Sequence, residues 1–147
     1  MTESPTVHYW HLWTDAEGVS HQTHCTMTEF ELRSIQPSAA PQWLGKNVRG
    51  PMSVLTTVLP PAWKGDWHEN PKPQWIIPLS GRWFVESMDG TRIEMGCGDI
   101  SFGADQHCRP IAGRRGHRSG TVGEAPVVLM LVQFDDASAP RGACGFR

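Results

Sequence analysis

Two histidines and one glutamine have side chains that could form a small polar site. His68 lies in a polar, proline-rich bend, Gln74 follows six residues later at the start of an apolar run, and His117 lies further along the chain. Imidazole binds Fe, Zn, Mn, Ni or Cu ions, and it also exchanges protons near neutral pH. The sequence therefore predicts a catalytic site at His68 and His117, with Gln74 as a possible amide-oxygen ligand.

Each of these residues also has a purely structural interpretation. His68 could cap the bend in which it lies, and His117 could be a strand histidine near the mouth of a barrel. Gln74 could be a buried amide that hydrogen-bonds its neighbours or a substrate. In each of these interpretations Gln74 points inward, because it opens an apolar strand.

The elements that must position these residues are short strands. Glycine and proline are abundant, at 15 and 12 residues, and Asp89-Gly90 is a strong hairpin signal. No segment has a sustained helical period, so about nine strands predict an all-β sandwich or barrel. Residues 36–50 and 104–116 are read as loops, and the tail after Asp135 as poorly ordered. The expected strands are residues 7–13, 27–35, 52–59, 74–79, 82–87, 91–95, 99–103, 117–119 and 127–134.

Residues 66–119 resemble the two sequence motifs of the cupin superfamily. The first motif of that family carries His-x-His, a Glu three or four residues on, and a Gly seven residues after the Glu. His68 matches the first histidine, and Gln74 and Gly81 keep the Glu-to-Gly spacing. Asn70 stands where the family has its second histidine, and Gln74 where the family has its glutamate.

The second cupin motif runs from Gly-Asp through an apolar strand and a turn to a histidine. Here Gly98-Asp99 opens it and Gly116-His117 closes it, with a longer turn than usual. His107 lies in that turn and could replace the missing imidazole, or it could lie in a solvated loop. The resemblance implies a site for a divalent metal, of unspecified identity, at His68, Gln74, His117 and His107.

The resemblance implies a single-domain, cupin-type jelly-roll β-barrel with its core at residues 51–134. Strands in residues 7–35 would pack on the barrel or on a dimer partner, and residues 135–147 would form a C-terminal tail. The implied function is metal-dependent dioxygenase, isomerase, cyclase or lyase chemistry on a small organic substrate. The alternatives are a non-catalytic small-ligand-binding cupin and a metal-free acid–base enzyme that uses His68 or His117.

Apolar and aromatic side chains are expected to line the substrate pocket. If Gln74 faces inward, the strand period of two turns Ile76 inward as well. The resemblance places Trp83 and Val85 on the inner face of the next strand. Two further tryptophans, Trp63 and Trp67, are expected near the cavity. The alternative for every tryptophan is core or dimer packing.

Composition excludes several other classes of function. The net charge is −2, which predicts no nucleic-acid partner, and no apolar run reaches the roughly 20 residues of a membrane span. The N-terminus lacks the features of a signal peptide, so a cytoplasmic location is expected. The four cysteines lack metal-site spacing and are expected to be free thiols.

The N-terminal region is expected to mediate a homodimer. Residues 7–13 alternate like a strand and are apolar enough to join the sheet of a partner. The pairs His8/His11 and His21/His24 are each three residues apart, which on a strand directs the two side chains to opposite faces. These histidines are therefore expected at exposed or subunit-contacting edges rather than on a metal.

Overall fold

The computed structural model describes residues 3–46, 48–136 and 142–147, and its described regular elements are all strands. The predicted all-β jelly-roll barrel is confirmed. None of the described residues belongs to a helix long and apolar enough to cross a membrane. The strands are β1 (Val7–Thr14), β2 (Ser20–Met27), β3 (Phe30–Arg33), β4 (Gln42–Gly45), β5 (Met52–Leu59), β6 (Gln74–Ser80), β7 (Arg82–Ser87), β8 (Arg92–Met95), β9 (Ser101–Ala104), β10 (His117–Val122) and β11 (Val127–Phe134).

Two sheets enclose the barrel interior. The larger has the strand order β2-β1-β9-β6-β11-β5, and the smaller has the order β10-β7-β8. Residues 63–68 extend the smaller sheet along β10, through bridges from Lys64 to Gly120 and from His68 to His117. The hairpin of β3 and β4 forms a separate two-stranded sheet.

The two faces of the larger sheet carry separate apolar clusters. Leu12, Ile76, Trp83 and Leu129 belong to the cluster that fills the space between the two sheets. Tyr9, Phe102 and Phe134 belong to the cluster on the opposite face, where Trp75 and Phe146 pack against them. Alternation along each strand produces this separation, because neighbouring residues point to opposite faces.

The C-terminal segment is part of the packed structure, contrary to the prediction of a poorly ordered tail. Phe146 lies 4.7 Å from the ring of Trp75 and 4.8 Å from that of Phe102, centroid to centroid. A disulfide joins Cys25 to Cys144, so the prediction of four free thiols is wrong, while Cys97 and Cys108 are free. Residues 137–141, which also belong to the predicted tail, lie outside the described residues.

The N-terminal strand does not have the edge position that the dimer prediction needs. β1 pairs with β2 along one edge and with β9 along the other, so it has no free edge for the sheet of a partner. His11 is 1% exposed, which differs from the expected edge position. The two outer strands of the larger sheet are β2 and β5. The homodimer itself stays a prediction.

Two predicted boundaries also shift. The expected strand at residues 27–35 shortens to β3, and β2, which was not expected, covers the residues before it and ends at Met27. The expected loop at residues 36–50 contains β4, which pairs with β3 from Phe30↔Gly45 to Arg33↔Gln42. Turn-forming residues surround the short β4, and its strand character comes from this pairing rather than from its own sequence.

Candidate functional site

His117 is held at the first position of β10 by a buried carboxylate. Its Nδ1 lies 2.7 Å from Oδ2 of Asp105, and the two side chains are 6% and 0% exposed. The preceding Gly116 has φ of +80°, and a Cβ there would collide with the backbone of His68 and Glu69. Glycine is therefore needed to bring the histidine strand against residues 68–69.

Asp105 is the end point of a chain of three amides, of which Asn70 and Gln74 are buried. Gln133 Nε2 donates to Gln74 Oε1 at 2.9 Å, and Gln74 Nε2 donates to Asn70 Oδ1 at 2.6 Å. Asn70 then donates to Asp105 Oδ1 from both its backbone N–H and its Nδ2, each at 2.8 Å. Every donor in this chain points toward the carboxylate, so the chain is satisfied only when Asp105 accepts.

The same contacts keep Asp105 ionised. Burial by itself raises the pKa of this carboxyl group, but the charge of a protonated His117 and the hydrogen bonds from His117 and Asn70 outweigh burial, so the pKa is lowered. Because the carboxylate only accepts, His117 must donate from Nδ1. This arrangement leaves Nε2 of His117 as the atom that can exchange a proton or bind a ligand.

His68 lies directly opposite His117. Their backbones exchange two hydrogen bonds of 2.9 Å, and residues paired in this way present their side chains on the same face. The ring centroids are 4.6 Å apart. Nδ1 of His68 lies 2.7 Å from the carbonyl oxygen of Asp66, and the side chain is exposed. The structure thus brings together the two predicted catalytic histidines, one buried and one at the surface.

The inner face of the larger sheet is open to solvent at its β5 edge. Leu55 is in register with Leu131, and Leu131 with Ile76, so the three side chains share the inner face. Ile76 is 6% exposed, whereas Leu55 is 40% exposed. Solvent therefore reaches the inner face at Leu55, although the centre of the barrel is filled.

Three of the expected pocket residues lie in the barrel interior. Ile76, Trp83 and Val85 belong to the inner cluster, and their contact with a substrate stays a prediction. The indole Nε1 of Trp83 is buried and has no hydrogen-bond partner among the described residues. A buried donor without an acceptor is uncommon in folded proteins, and it indicates a position where a ligand oxygen or a water would be favourable.

The other two expected pocket residues differ in position. Trp67 lies beneath the guanidinium groups of Arg114 and Arg118, at 5.3 and 5.6 Å from its ring centroid. Because Arg118 follows His117 in a strand, it points to the outer face. Trp67 is therefore outside the barrel interior. Trp63 is half-buried beside β10, where its carbonyl oxygen accepts from the backbone N–H of Thr121.

His107 does not join the two histidines. It is exposed, with φ of 70°, and its side chain makes no hydrogen bond within the described part of the chain. A non-glycine residue in this left-handed conformation is typical of a tight turn. The solvated-loop interpretation of His107 therefore agrees with its position.

The side chains present do not fit a metal centre. Both polar atoms of Gln74 are hydrogen-bonded within the amide chain, and so are those of Asn70. Only the two imidazoles remain as donors, which is fewer than the three or four protein ligands of typical transition-metal sites. Across residues 3–46, 48–136 and 142–147, no group of three or more His, Cys, Asp or Glu side chains could hold a metal ion.

The sequence pattern did not indicate that Asp105 and Gln133 belong to the site. Asp105 lies in a segment read as an irregular loop, and Gln133 near the end of a strand read only as buried core. The available signal was an acid directly after the apolar strand inside the second motif. A lone polar residue inside the run of β11 was a second signal, since a buried amide needs a partner.

Three solved structures are similar to this chain. A Cupin 2 conserved barrel domain protein from Salinispora arenicola has 19% identity and a TM-score of 0.45, covering 74% of this chain and 77% of its own. A protein from Neisseria meningitidis has 15% identity and a TM-score of 0.45, and the match covers 67% of this chain and 90% of that protein. The cupin domain of Schizosaccharomyces pombe Cnp3 has 12% identity and a TM-score of 0.41, covering 92% and 86%. No protein-family model and no curated protein matches the chain.

Proposed function

We propose that this protein is a metal-free acid–base enzyme of the cupin type, acting on a small organic molecule. The observation that carries the proposal is the 2.7 Å contact between Nδ1 of His117 and the buried carboxylate of Asp105. A carboxylate in this position orients the imidazole and stabilises its charged form. Nε2 of His117 is then the atom that takes a proton from the substrate or returns it.

The other side chains of the site have supporting roles in this proposal. Asn70 and Gln74 hold Asp105 in place through the chain of amides, instead of binding a metal. His68 shares the face of His117 at the solvent-exposed end and can exchange protons with water. Trp83 pairs with Thr121, four residues along β10 from His117, so its unpartnered Nε1–H would donate to a part of the bound molecule remote from the proton that moves. Such a molecule carries an acidic proton, as an enolisable carbonyl compound does.

The proposal is tested by hydrogen exchange in D₂O. The purified protein is incubated with a panel of small enolisable carbonyl compounds, and loss of the α-proton signal is followed by NMR. We expect catalysed exchange for at least one compound, and loss of most of that rate, about 100-fold or more, in His117→Asn. Cys97→Ser, an exposed cysteine outside the site, is the matched control and should retain the rate.

Metal content is measured on the same preparation, purified without chelators. We expect no stoichiometric transition metal, and no rise in Tm on addition of Zn²⁺, Mn²⁺, Ni²⁺ or Fe²⁺. A bound metal that is lost in both His68→Asn and His117→Asn would overturn the metal-free mechanism. If His117→Asn still catalysed hydrogen exchange, the proposal that His117 transfers the proton would be overturned.

A further inference from the structure

A cavity of about 410 Å³ lies between the β3–β4 hairpin and residues 145–147. It does not include any residue of the histidine site. Its apolar lining includes Phe30, Val48 and Phe146, and the last two pack on the outer cluster of the larger sheet. The cavity is therefore on the face of that sheet opposite to the barrel interior. Ligand sites for small molecules typically have volumes of about 300–1,000 Å³.

The C-terminal wall of this cavity is already in place. Phe146 contacts the rings of Tyr9, Trp75 and Phe102, and its backbone N–H donates to the Tyr9 hydroxyl at 3.1 Å. The disulfide to Cys144 fixes the chain two residues earlier. A wall held by these contacts needs little ordering when a ligand binds, which favours affinity.

The rim of the cavity has an excess of positive charge. Lys46, Arg49 and Arg147 line it, against the single acid Glu29. Within the described part of the chain, none of these four side chains takes part in an ion pair, although other surface arginines, such as Arg92 and Arg118, do. Basic groups beside an apolar lining are complementary to a molecule that has one anionic end and one apolar end.

We propose that this cavity binds a small amphipathic monoanion, a carboxylate or sulfonate with an aliphatic or aromatic body. The apolar body would lie against Phe30, Val48 and Phe146, and the anionic group would contact Lys46 and Arg49. This site is separate from the histidine site, so the proposal does not depend on the proposed enzyme activity.

Gly45 offers a way to fill the cavity without altering its charges. It lies opposite Phe30 in the β3–β4 register, and its φ is not in the left-handed region. A Cβ added at this position would lie 3.4 Å from the Phe30 ring, the lower limit of ordinary contact. The backbone therefore tolerates a larger residue, whose side chain would occupy space that the ligand needs.

The experiment uses anilinonaphthalene sulfonate as a fluorescent probe and octanoate as a competitor. The wild-type protein should bind one equivalent of probe, which octanoate displaces and neutral methyl octanoate does not. The double variant Lys46→Gln/Arg49→Gln should weaken binding by about tenfold or more, because charged hydrogen bonds are lost. Gly45→Leu should weaken binding comparably with all charges retained. Circular dichroism confirms that each variant is folded.

Two further variants serve as controls. Lys64→Gln removes an exposed lysine beside β10, and His117→Asn alters the barrel site; both should bind the probe like the wild type. The proposal is overturned if the Lys46/Arg49 double variant keeps wild-type affinity, or if methyl octanoate competes as well as octanoate. It is equally overturned if His117→Asn abolishes binding, since the probe would then lie in the barrel.

Discussion

The carboxylate of Asp105 joins His117 to Asn70. Its Oδ2 lies 2.7 Å from Nδ1 of His117, and its Oδ1 accepts two hydrogen bonds of 2.8 Å from Asn70. Asn70 occupies the sequence position where cupins of the resembled type have a second ligand histidine, and here its side chain bonds Asp105. The residue at this position therefore contacts Asp105, which in turn holds His117 in place.

Replacement of Asp105 by Asn should destabilise the protein by about 3 kcal/mol, because one partner of a buried pair is removed. The pKa of Asp105 is lowered in the folded state. Its stabilisation is thus complete above the unfolded-state pKa near 3.9 and is lost as pH falls through the folded-state pKa. Urea unfolding at several acidic pH values should show a weaker acid dependence in Asp105→Asn. An unchanged acid dependence would contradict the role of this carboxylate.

Gln74→Glu should lower the free energy of unfolding by about 2–4 kcal/mol. The variant loses the donor to Asn70 Oδ1 and places a carboxylate at a site that is 4% exposed. Gln42→Glu, the same change at an exposed position in β4, should have little effect. If Gln74→Glu instead bound a stoichiometric divalent metal and gained stability, His68 and His117 would be metal ligands after all.

His21 should stabilise the protein only while it is protonated. Burial lowers its pKa, but hydrogen bonds and charges from Asp15 and Asp89, at 2.6 and 3.0 Å, outweigh burial and raise it. Its contribution is thus complete below the unfolded-state pKa and is lost as pH rises through the folded-state pKa. The free energy of unfolding should fall more between about pH 5.5 and about pH 8.5 in the wild type than in His21→Asn. Equal losses would count against this ion-pair cluster.

Reduction of the Cys25–Cys144 disulfide should lower the free energy of unfolding by about 2–5 kcal/mol, because the bond closes a long loop. Its two cysteines are 119 residues apart in sequence. Cys144→Ser should have the same effect, and Cys97→Ser, at an exposed free thiol, should have none. Denaturant unfolding measures the change, and alkylation of air-purified, denatured protein should label two thiols. Labelling of four thiols would contradict the disulfide.

The predicted homodimer should form through β5 rather than through the N-terminal strand. β5 is an uncharged edge strand, and its residues Val54 and Val58 are 64% and 59% exposed. An edge of this kind pairs readily with a second copy of itself. Light scattering should therefore give a dimeric mass for wild type and a monomeric mass for Val54→Lys, with Lys64→Gln unchanged. A monomeric wild-type protein at micromolar concentration would contradict the prediction of a homodimer.

The partial success of the site prediction has a physical explanation. His68 and His117 were identified because a motif resemblance assigns positions, and they do lie opposite each other. The partners of Gln74 were not identified, because its bond to Gln133 spans 59 residues and depends on strand register, and its bond to Asn70 depends on the path of the bend before β6. Sequence alternation shows that Gln74 points inward, but it does not show which atoms meet it there.

The amino-acid sequence by itself determined the all-β class, most of the strands and the inward face of β6, because strand periodicity and turn chemistry are local properties. Only the tertiary structure decided that Asp105 lies against His117, that Cys144 reaches Cys25, and that β1 is enclosed while β5 is an edge. These are contacts between residues far apart in the chain. These contacts depend on the order of the strands in the sheets, and the local sequence pattern does not predict that order.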